Sequence, residues 1–120
     1  MLASQTTTVI DHIVMLKVRS DATKKDIDRL IEGTSTLKAI PGVITITIGP
    51  TFVEEWMADR RGGHTHVLSV RLESKEALKV YQDHDLHAKV KSELIAPILD
   101  GPPVAVDYES AVIVGNGASK

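Results

Sequence analysis

Six consecutive residues with the sequence VITITI, Val43–Ile48, are all β-branched and favour an extended backbone over a helix. Isoleucine and threonine alternate along most of the segment, so the two kinds of side chain point to opposite faces of the strand. Pro41-Gly42 precedes the segment and Gly49-Pro50 follows it, and both dipeptides interrupt regular structure. The chain therefore contains a well-bounded strand, and the rest of it must provide elements that pack against that strand.

The other periodic segments alternate with turn residues along the chain. In order they predict a strand over Val9–Val18, a helix from Thr23 to Ile40, a strand over Thr65–Leu72, a helix in two pieces over Ser74–Val80 and Asp85–Ile95, and a strand over Val104–Tyr108. Ala111–Val114 can extend the last strand, and Thr51–Gly63 has no clean period and is interpreted as a loop. This β-α-β-β-α-β order predicts a ferredoxin-like α+β fold, in which a four-stranded antiparallel sheet carries its helices on one face.

Gly33 lies in the middle of the first predicted helix. Thr23 and Asp26 form a capping pair at the start of that helix. A glycine inside a helix costs about 1 kcal/mol relative to alanine. We therefore expect either that another side chain packs closely against Gly33 or that the helix weakens there.

The first two strands are apolar on both faces, most clearly at Ile13–Leu16. If the helices cover one face of the sheet, the other face would be left in water. Exposed apolar sheets of this kind usually mark an interface. We therefore expect a homodimer in which two sheets pack face to face as a dimeric α+β barrel.

The composition narrows the classes of function. The formal net charge is -2, and the aromatic residues are one Trp, one Phe and two Tyr. Nucleic-acid binding uses a basic face and stacking aromatics, so no nucleic-acid partner is expected. The chain has no cysteine, which excludes a thiol nucleophile and fits a cytoplasmic location.

The two ends of the chain carry few structural signals. Residues 1–8 lack the basic and apolar segments of a signal peptide or membrane anchor, so no membrane partner is expected. We expect residues 1–8 to be disordered, residues 9–114 to form a single domain and residues 115–120 to be a flexible tail.

The segment YQDHDLH, residues 81–87, is the best candidate for a site of acid–base chemistry. It holds Tyr81, His84 and His87 at a helix end. Tyrosine and histidine move protons and orient carbonyl groups near neutral pH. The faces of the strands that carry His12 and His66 can look toward the same space. The apolar residues expected to line a small-molecule site there are Val14, Leu16, Leu68 and Leu30.

Each of these residues also has a structural interpretation. The 81–87 segment can be a solvated helix end, and His12 and His66 can be hydrogen-bonded residues of the core. A zinc site built from the pairs His64-x-His66 and His84-x-x-His87 is a further alternative. It lacks an obviously placed carboxylate or cysteine ligand, and we expect no metal.

Five motifs in the same order resemble the stress-responsive dimeric α/β-barrel (Dabb) family, and they span roughly Val9–Tyr108. They are DHIVMLK at 11–17, GHTH at 63–66, LESKEA at 72–77, Tyr81 followed by HxxH at 84–87, and VDY at 106–108. The family includes plant stress proteins without a settled activity and cofactor-free plant polyketide cyclases of the olivetolic acid cyclase type. The resemblance implies the ferredoxin-like fold, a homodimer and no cofactor.

The resemblance to the cyclases also implies residue roles. Their Tyr-x-x-His-x-x-His pattern falls onto this chain with His87 as general base and Tyr81 as its assistant, and their strand histidines fall onto His12 and His66. The implied function is proton abstraction next to a carbonyl, followed by aldol-type cyclisation or elimination of a polyketide-like molecule. The alternative is a non-catalytic, stress-responsive homodimer that binds a small ligand. An enzyme needs an open apolar cavity of roughly 300 Å³ or more that reaches Tyr81 and His87.

The chain departs from the cyclase pattern at several positions. Leu30 and Gly33 stand where the cyclases have aromatic residues, Asp85 stands at a proline position, and His64 stands at a tyrosine position. We therefore expect that the substrate differs from the one that the cyclases convert to an alkyl-resorcylic product.

Overall fold

The computed structural model describes residues 6–117, and the order of its elements is the predicted one. The strands are β1 (Thr6–Leu16), β2 (Val43–Pro50), β3 (His66–Leu72) and β4 (Val104–Ile113). The helices are α1 (Lys24–Ser35), α2 (Lys75–Asp83) and α3 (Asp85–Val90). Shorter turns complete the helical layer: a 3₁₀ turn at Thr36–Ala39, a π turn at Lys91–Ile95 and a 3₁₀ turn at Ala96–Ile98.

The four strands form one antiparallel sheet in the order β2-β3-β1-β4, which confirms the predicted ferredoxin-like α+β fold. β1 lies between β3 and β4. Its pairing places His12 opposite Val70 on one side and opposite Asp107 on the other. Directly opposite residues share a face, so these three side chains all point to the same side of the sheet.

The helical layer covers that side, and the core lies between the two layers. The larger cluster of buried side chains comprises Ile10, Leu37, Ile40, Leu68, Val70, Leu72, Tyr81 and Val90. A smaller cluster of Leu16, Val18 and Leu30 joins the end of β1 to α1. Burying an aliphatic side chain of this size contributes about 1.5–3 kcal/mol, so these contacts hold the helices on the sheet.

Side-chain caps begin both of the longer helices. The Thr23 hydroxyl accepts a hydrogen bond from the Asp26 N–H at 3.1 Å, and the Asp26 carboxylate accepts one from the Thr23 N–H at 2.9 Å. This is the capping box predicted from the sequence. The Ser74 hydroxyl accepts from the Ala77 N–H at 3.0 Å and begins α2. Each cap satisfies a donor that the first turn of a helix leaves free.

Gly33 is the point where the π turn packs against α1. A Cβ atom at this position would lie 1.9 Å from Leu94 Cδ1. Leu94 in turn packs against the larger core cluster. The expectation that something approaches Gly33 closely is therefore confirmed.

Some boundaries differ from the predicted ones. β1 begins at Thr6 instead of Val9, because Thr6–Thr8 pair with Ala111–Ile113 of β4. These three residues are thus in a strand and not disordered, while residues 1–5 and 118–120 lie outside the described part of the chain. α2 runs to Asp83, three residues beyond the predicted end at Val80, and Tyr81 lies within it.

The side of the sheet away from the helices is left partly open. Val104, Val106 and Tyr108 of β4 are 42%, 50% and 49% exposed on this side. In the loop between β2 and β3, Phe52 and Trp56 are also exposed. No helix within residues 6–117 combines the length and apolar character needed to cross a membrane.

Candidate functional site

A cavity of about 390 Å³ lies between the sheet and the helical layer. Its volume exceeds the roughly 300 Å³ expected of a small-molecule site. The sheet contributes His12, Val14, Leu16, Leu68 and Ala105 to its walls. The helical layer contributes Tyr81, Gln82, His87, Val90, Lys91 and Ile95. Most of these side chains are apolar, so the polar groups among them lie in water-poor surroundings.

Three rings meet in this cavity. The centroid of the Tyr81 ring lies 5.7 Å from that of His12 and 4.8 Å from that of His87, with both pairs edge to face. His12 comes from β1, Tyr81 from α2 and His87 from α3. The fold therefore brings the Tyr81 phenol against two imidazoles that come from separate elements.

His87 is held in its neutral form. Burial lowers the pKa of its imidazole below the ordinary value of 6.5, and electrostatic repulsion from the neighbouring His12 and Lys91 side chains lowers it further. Desolvation disfavours the charged form of any base, and a nearby cation has the same effect on a histidine. A neutral imidazole has a free lone pair at pH 7 and can accept a proton.

Tyr81 is held in its protonated form. Its side chain is buried, with only 1% of the residue exposed, and burial raises the pKa of the phenol to about 12. The hydroxyl is therefore a hydrogen-bond donor throughout the physiological range. A neutral base and a protonated donor side by side form an arrangement suited to proton transfer.

Asp107 completes the polar set, although no sequence pattern predicts it as a site residue. The His12 Nδ1–H donates a short hydrogen bond to an Asp107 carboxylate oxygen. This contact orients the imidazole and leaves its Nε2 as the free nitrogen. An acidic residue inside the apolar run VAVDY was the available signal, but the pairing of β4 with β1 was needed to show its partner.

Several predicted site residues lie outside the cavity. Leu30 is buried in the smaller core cluster beside Leu16 and Val18, so α1 does not bring it to the cavity. The His66 ring is at the end of β3, with its Nδ1 2.8 Å from Thr65 Oγ1. Burial lowers the pKa of His66, but its side chain does not line this space.

His84 also lies outside, because it is the N-cap of α3. Its Nδ1 accepts a hydrogen bond from the Leu86 N–H at 3.0 Å. It borders a separate shallow depression on α2 with Lys79 and Asp83. The prediction that it contacts the substrate thus has no support from its position.

The cavity rim contains two polar residues that the sequence analysis does not identify, Gln82 and Lys91. Lys91 begins the π turn, in which the Ala96 N–H donates to the Lys91 carbonyl. Pro97 follows this turn and has no N–H to continue an α-helical ladder. A wide turn at this point is often found at functional sites.

No group of three or more metal-binding side chains occurs among the residues that the structure describes. The pairs His64-x-His66 and His84-x-x-His87 are thus not gathered into a common cluster within that range.

A family model described as the stress responsive A/B barrel domain matches residues 10–110 of this chain. A stress-response A/B barrel domain-containing protein of Arabidopsis thaliana is 34% identical over 110 residues. That alignment covers 92% of this chain but 40% of the Arabidopsis protein, so the chain spans less than half the length of this relative.

Solved structures share the same fold. A dimeric ferredoxin-like protein of unknown function from Thermobifida fusca is 25% identical with a TM-score of 0.67, and the match covers 85% of this chain and 91% of that one. The hydroxynitrile lyase of Passiflora edulis is 20% identical with a TM-score of 0.73, covering 92% of this chain and 97% of that one. At that identity the second likeness shows the fold alone.

Proposed function

Because this chain belongs to the stress-responsive A/B barrel domain family, we propose that its cavity is the active site of a cofactor-independent cyclase or lyase. The substrate is a carbonyl-rich, polyketide-like small molecule. The observation that carries this proposal is the meeting of Tyr81, His87 and His12 in one largely apolar cavity. Such cavities with a few convergent polar groups are the usual form of a small-molecule site.

In the proposed reaction, His87 removes a proton from a carbon next to a carbonyl group. The electron pair of the broken C–H bond moves onto the carbonyl oxygen and forms an enolate. Tyr81 donates a hydrogen bond to that oxygen, where negative charge develops. His12, whose Nδ1–H is held by Asp107, orients the same molecule by accepting at Nε2 a hydrogen bond from an enolic hydroxyl group.

Two outcomes can follow from the enolate. The enolate carbon can attack a second carbonyl group and close a ring. Alternatively, the enolate can expel a leaving group from the carbon next to the one that lost its proton. The proton returns from the His87 imidazolium to the alkoxide or leaving group, so neither route needs a cofactor. The name of the Passiflora edulis enzyme, a hydroxynitrile lyase, is consistent with a lyase outcome on this fold.

We further propose that the chain works as a homodimer through the outer face of its sheet. The exposed Val104, Val106 and Tyr108 form an apolar strip on that face. The Thermobifida fusca protein with this fold is described as dimeric. A partner sheet would cover the strip and leave the cavity, on the other side of the sheet, open to substrate.

The proposal is tested by turnover of a panel of 3,5-dioxo thioesters, for ring closure, and of β-hydroxy ketones, for elimination through the same enolate, followed by mass spectrometry. His87→Gln should lower kcat/KM on any converted compound by about 10²–10⁴-fold, because the general base is lost. Tyr81→Phe should lower it by about 10²–10³-fold, because one donor to the oxyanion is removed.

Matched controls are available in the chain. Tyr108→Phe alters the other tyrosine, on the opposite side of the sheet, and His84→Asn alters a histidine outside the cavity while keeping an N-cap acceptor. Both should leave turnover unchanged. Equal turnover by wild type and His87→Gln would remove the proposed base. Binding of panel members without any conversion would favour the non-catalytic, ligand-binding homodimer instead.

A further inference from the structure

The rim of the cavity carries a lysine without a carboxylate partner among residues 6–117. Lys91 is exposed and lines the cavity together with Gln82. Two lysines of the same helical layer, Lys75 and Lys79, each hold a carboxylate within 2.7 Å, whereas no ion pair in that range includes Lys91. Its ammonium is therefore available to an anion from outside the chain.

The interior of the cavity would not accept such an anion by itself. Its walls are largely aliphatic, and burial holds Tyr81 and His87 in their uncharged forms. An unpaired carboxylate in these surroundings would lose its hydration without compensation. At the rim, by contrast, a carboxylate keeps part of its water and gains the lysine. A molecule with an apolar body and one acidic end would thus enter with its body inside and its acid at Lys91.

The position of Lys91 relative to the proposed base sets a length for that molecule. Lys91 follows His87 by four residues, so both side chains leave the same side of the helical segment. Cβ atoms at this spacing lie about 6 Å apart in a helix. A molecule that spans these two neighbouring side chains would therefore carry its acidic group on the same end as the ketone, and not at the far end of its apolar chain.

We propose that Lys91 binds the carboxylate of the substrate, and that the substrate class is an oxo acid with its ketone a few bonds from the carboxylate and an apolar chain beyond. This inference rests on the proposed function, because the ketone is assigned to Tyr81 and His87. Lys91 is a substrate-binding residue in this scheme, and Gln82 is a second exposed polar residue that lines the same cavity.

Binding of two matched probes tests the inference without any need for turnover. The probes are 4-oxononanoate and 4-oxononanamide, which differ in charge at one end and little in size. Affinities are measured by calorimetry at low ionic strength, and the NMR signals of Tyr81 and His87 report whether the cavity is occupied. Wild type should bind the acid about fivefold or more tightly than the amide, and added salt should reduce this preference.

The variants assign the preference to one side chain. Lys91→Met should abolish the preference for the acid while leaving the affinity for the amide within about twofold, and Lys91→Glu should reverse it. Lys89→Met is the matched control, since Lys89 is exposed two residues before Lys91 and does not line the cavity. It should behave as wild type.

Two results would overturn the inference, and they have different consequences for the proposed function. If acid and amide bind wild type equally, or if Lys91→Met keeps the preference, the anion site is absent while the roles of His87 and Tyr81 still stand on turnover. If neither probe binds or perturbs the Tyr81 and His87 signals, both the anion site and the use of this cavity for oxo compounds fail.

Discussion

At the scale of single residues, the cavity moves the pKa values of two neighbouring titratable groups away from their ordinary values. Burial moves the pKa of His87 down and that of Tyr81 up to about 12, although their rings are in contact. Both shifts favour the uncharged form, as expected in an apolar environment. The direction of each shift supports the proposed roles, in which His87 accepts a proton and Tyr81 donates a hydrogen bond at pH 7.

We predict that His87 titrates below its ordinary value of 6.5 in the folded protein, and that Lys91→Met raises its pKa by removing a nearby positive charge. NMR titration of the His87 Cε1–H signal measures both effects. Lys89→Met should not move the midpoint. A His87 midpoint at or above 6.5 in wild type would contradict the assignment of a buried, neutral base.

The same shift determines how His87 affects stability. The pKa of His87 is lower in the folded state than in the unfolded state. Between these two pKa values, the folded protein therefore binds fewer protons than the unfolded chain. The associated stability is present above 6.5 and is lost as the pH falls through the folded value. Chemical denaturation at a series of pH values should show the free energy of unfolding declining in that window, and declining less in His87→Gln.

At the scale of elements, local rules explain most of what the sequence predicts. The β-branched run of β2 and the Thr23 capping box depend on neighbouring residues, and both occur in the structure. The partnership of His12 with Asp107 depends on the register of two strands that lie far apart in the chain. The same is true of Leu30 and His66, whose types fit a cavity but whose positions in the packed layers exclude them from it.

The π turn at Lys91–Ile95 is a further feature that local patterns do not predict. Hydrophobic spacing continues through it as in an α-helix, so the sequence indicates one helix over Asp85–Ile95. A regular α-helix running on to Pro97 would leave the Glu93 carbonyl without its N–H partner and in collision with the proline ring. The backbone widens instead, and the Ala96 N–H reaches back to Lys91.

The close approach between α1 and this turn gives a prediction for Gly33→Ala. Alanine is the better helix former by about 1 kcal/mol, yet its Cβ would lie 1.9 Å from Leu94 Cδ1. Leu94 must then leave its position against the core, and we expect a net loss of about 1–2 kcal/mol in the free energy of unfolding. Urea denaturation measures it. Glu32→Ala, at the adjacent exposed position, should have almost no effect. A Gly33→Ala variant that is more stable than wild type would show that Leu94 moves aside at little cost.

At the scale of the whole molecule, the sheet separates two surfaces with different properties. One side faces the helices and contains the cavity. The other exposes the apolar strip Val104, Val106 and Tyr108, and also carries an ion pair in which Arg71 lowers the pKa of the buried Asp11. A second copy placed on this side would cover the strip without touching the cavity.

We predict that the chain is a dimer in solution and that Val106→Arg makes it a monomer, because the arginine would place a charge at the centre of the apolar strip. Light scattering after size exclusion should give about twice the chain mass of 13.0 kDa for wild type. Val80→Arg is the matched control, since Val80 is 47% exposed but lies on α2. A monomeric wild type, or a dimeric Val106→Arg, would contradict the proposed assembly.

The alternation of β4 carries a consequence for how relatives of this protein can diverge. The Asp107 side chain lies on the side of the sheet that carries His12 and the cavity. Its immediate neighbours Val106 and Tyr108 lie on the outer side, in the apolar strip. Point changes at every second codon can therefore retune a pocket while the intervening codons keep the quaternary contact intact. Inserting or deleting one residue within β4 would turn the following side chains to the opposite side of the sheet, so cavity-side and outer-side residues would change places. We therefore expect relatives to differ in this strand by substitutions and not by insertions or deletions.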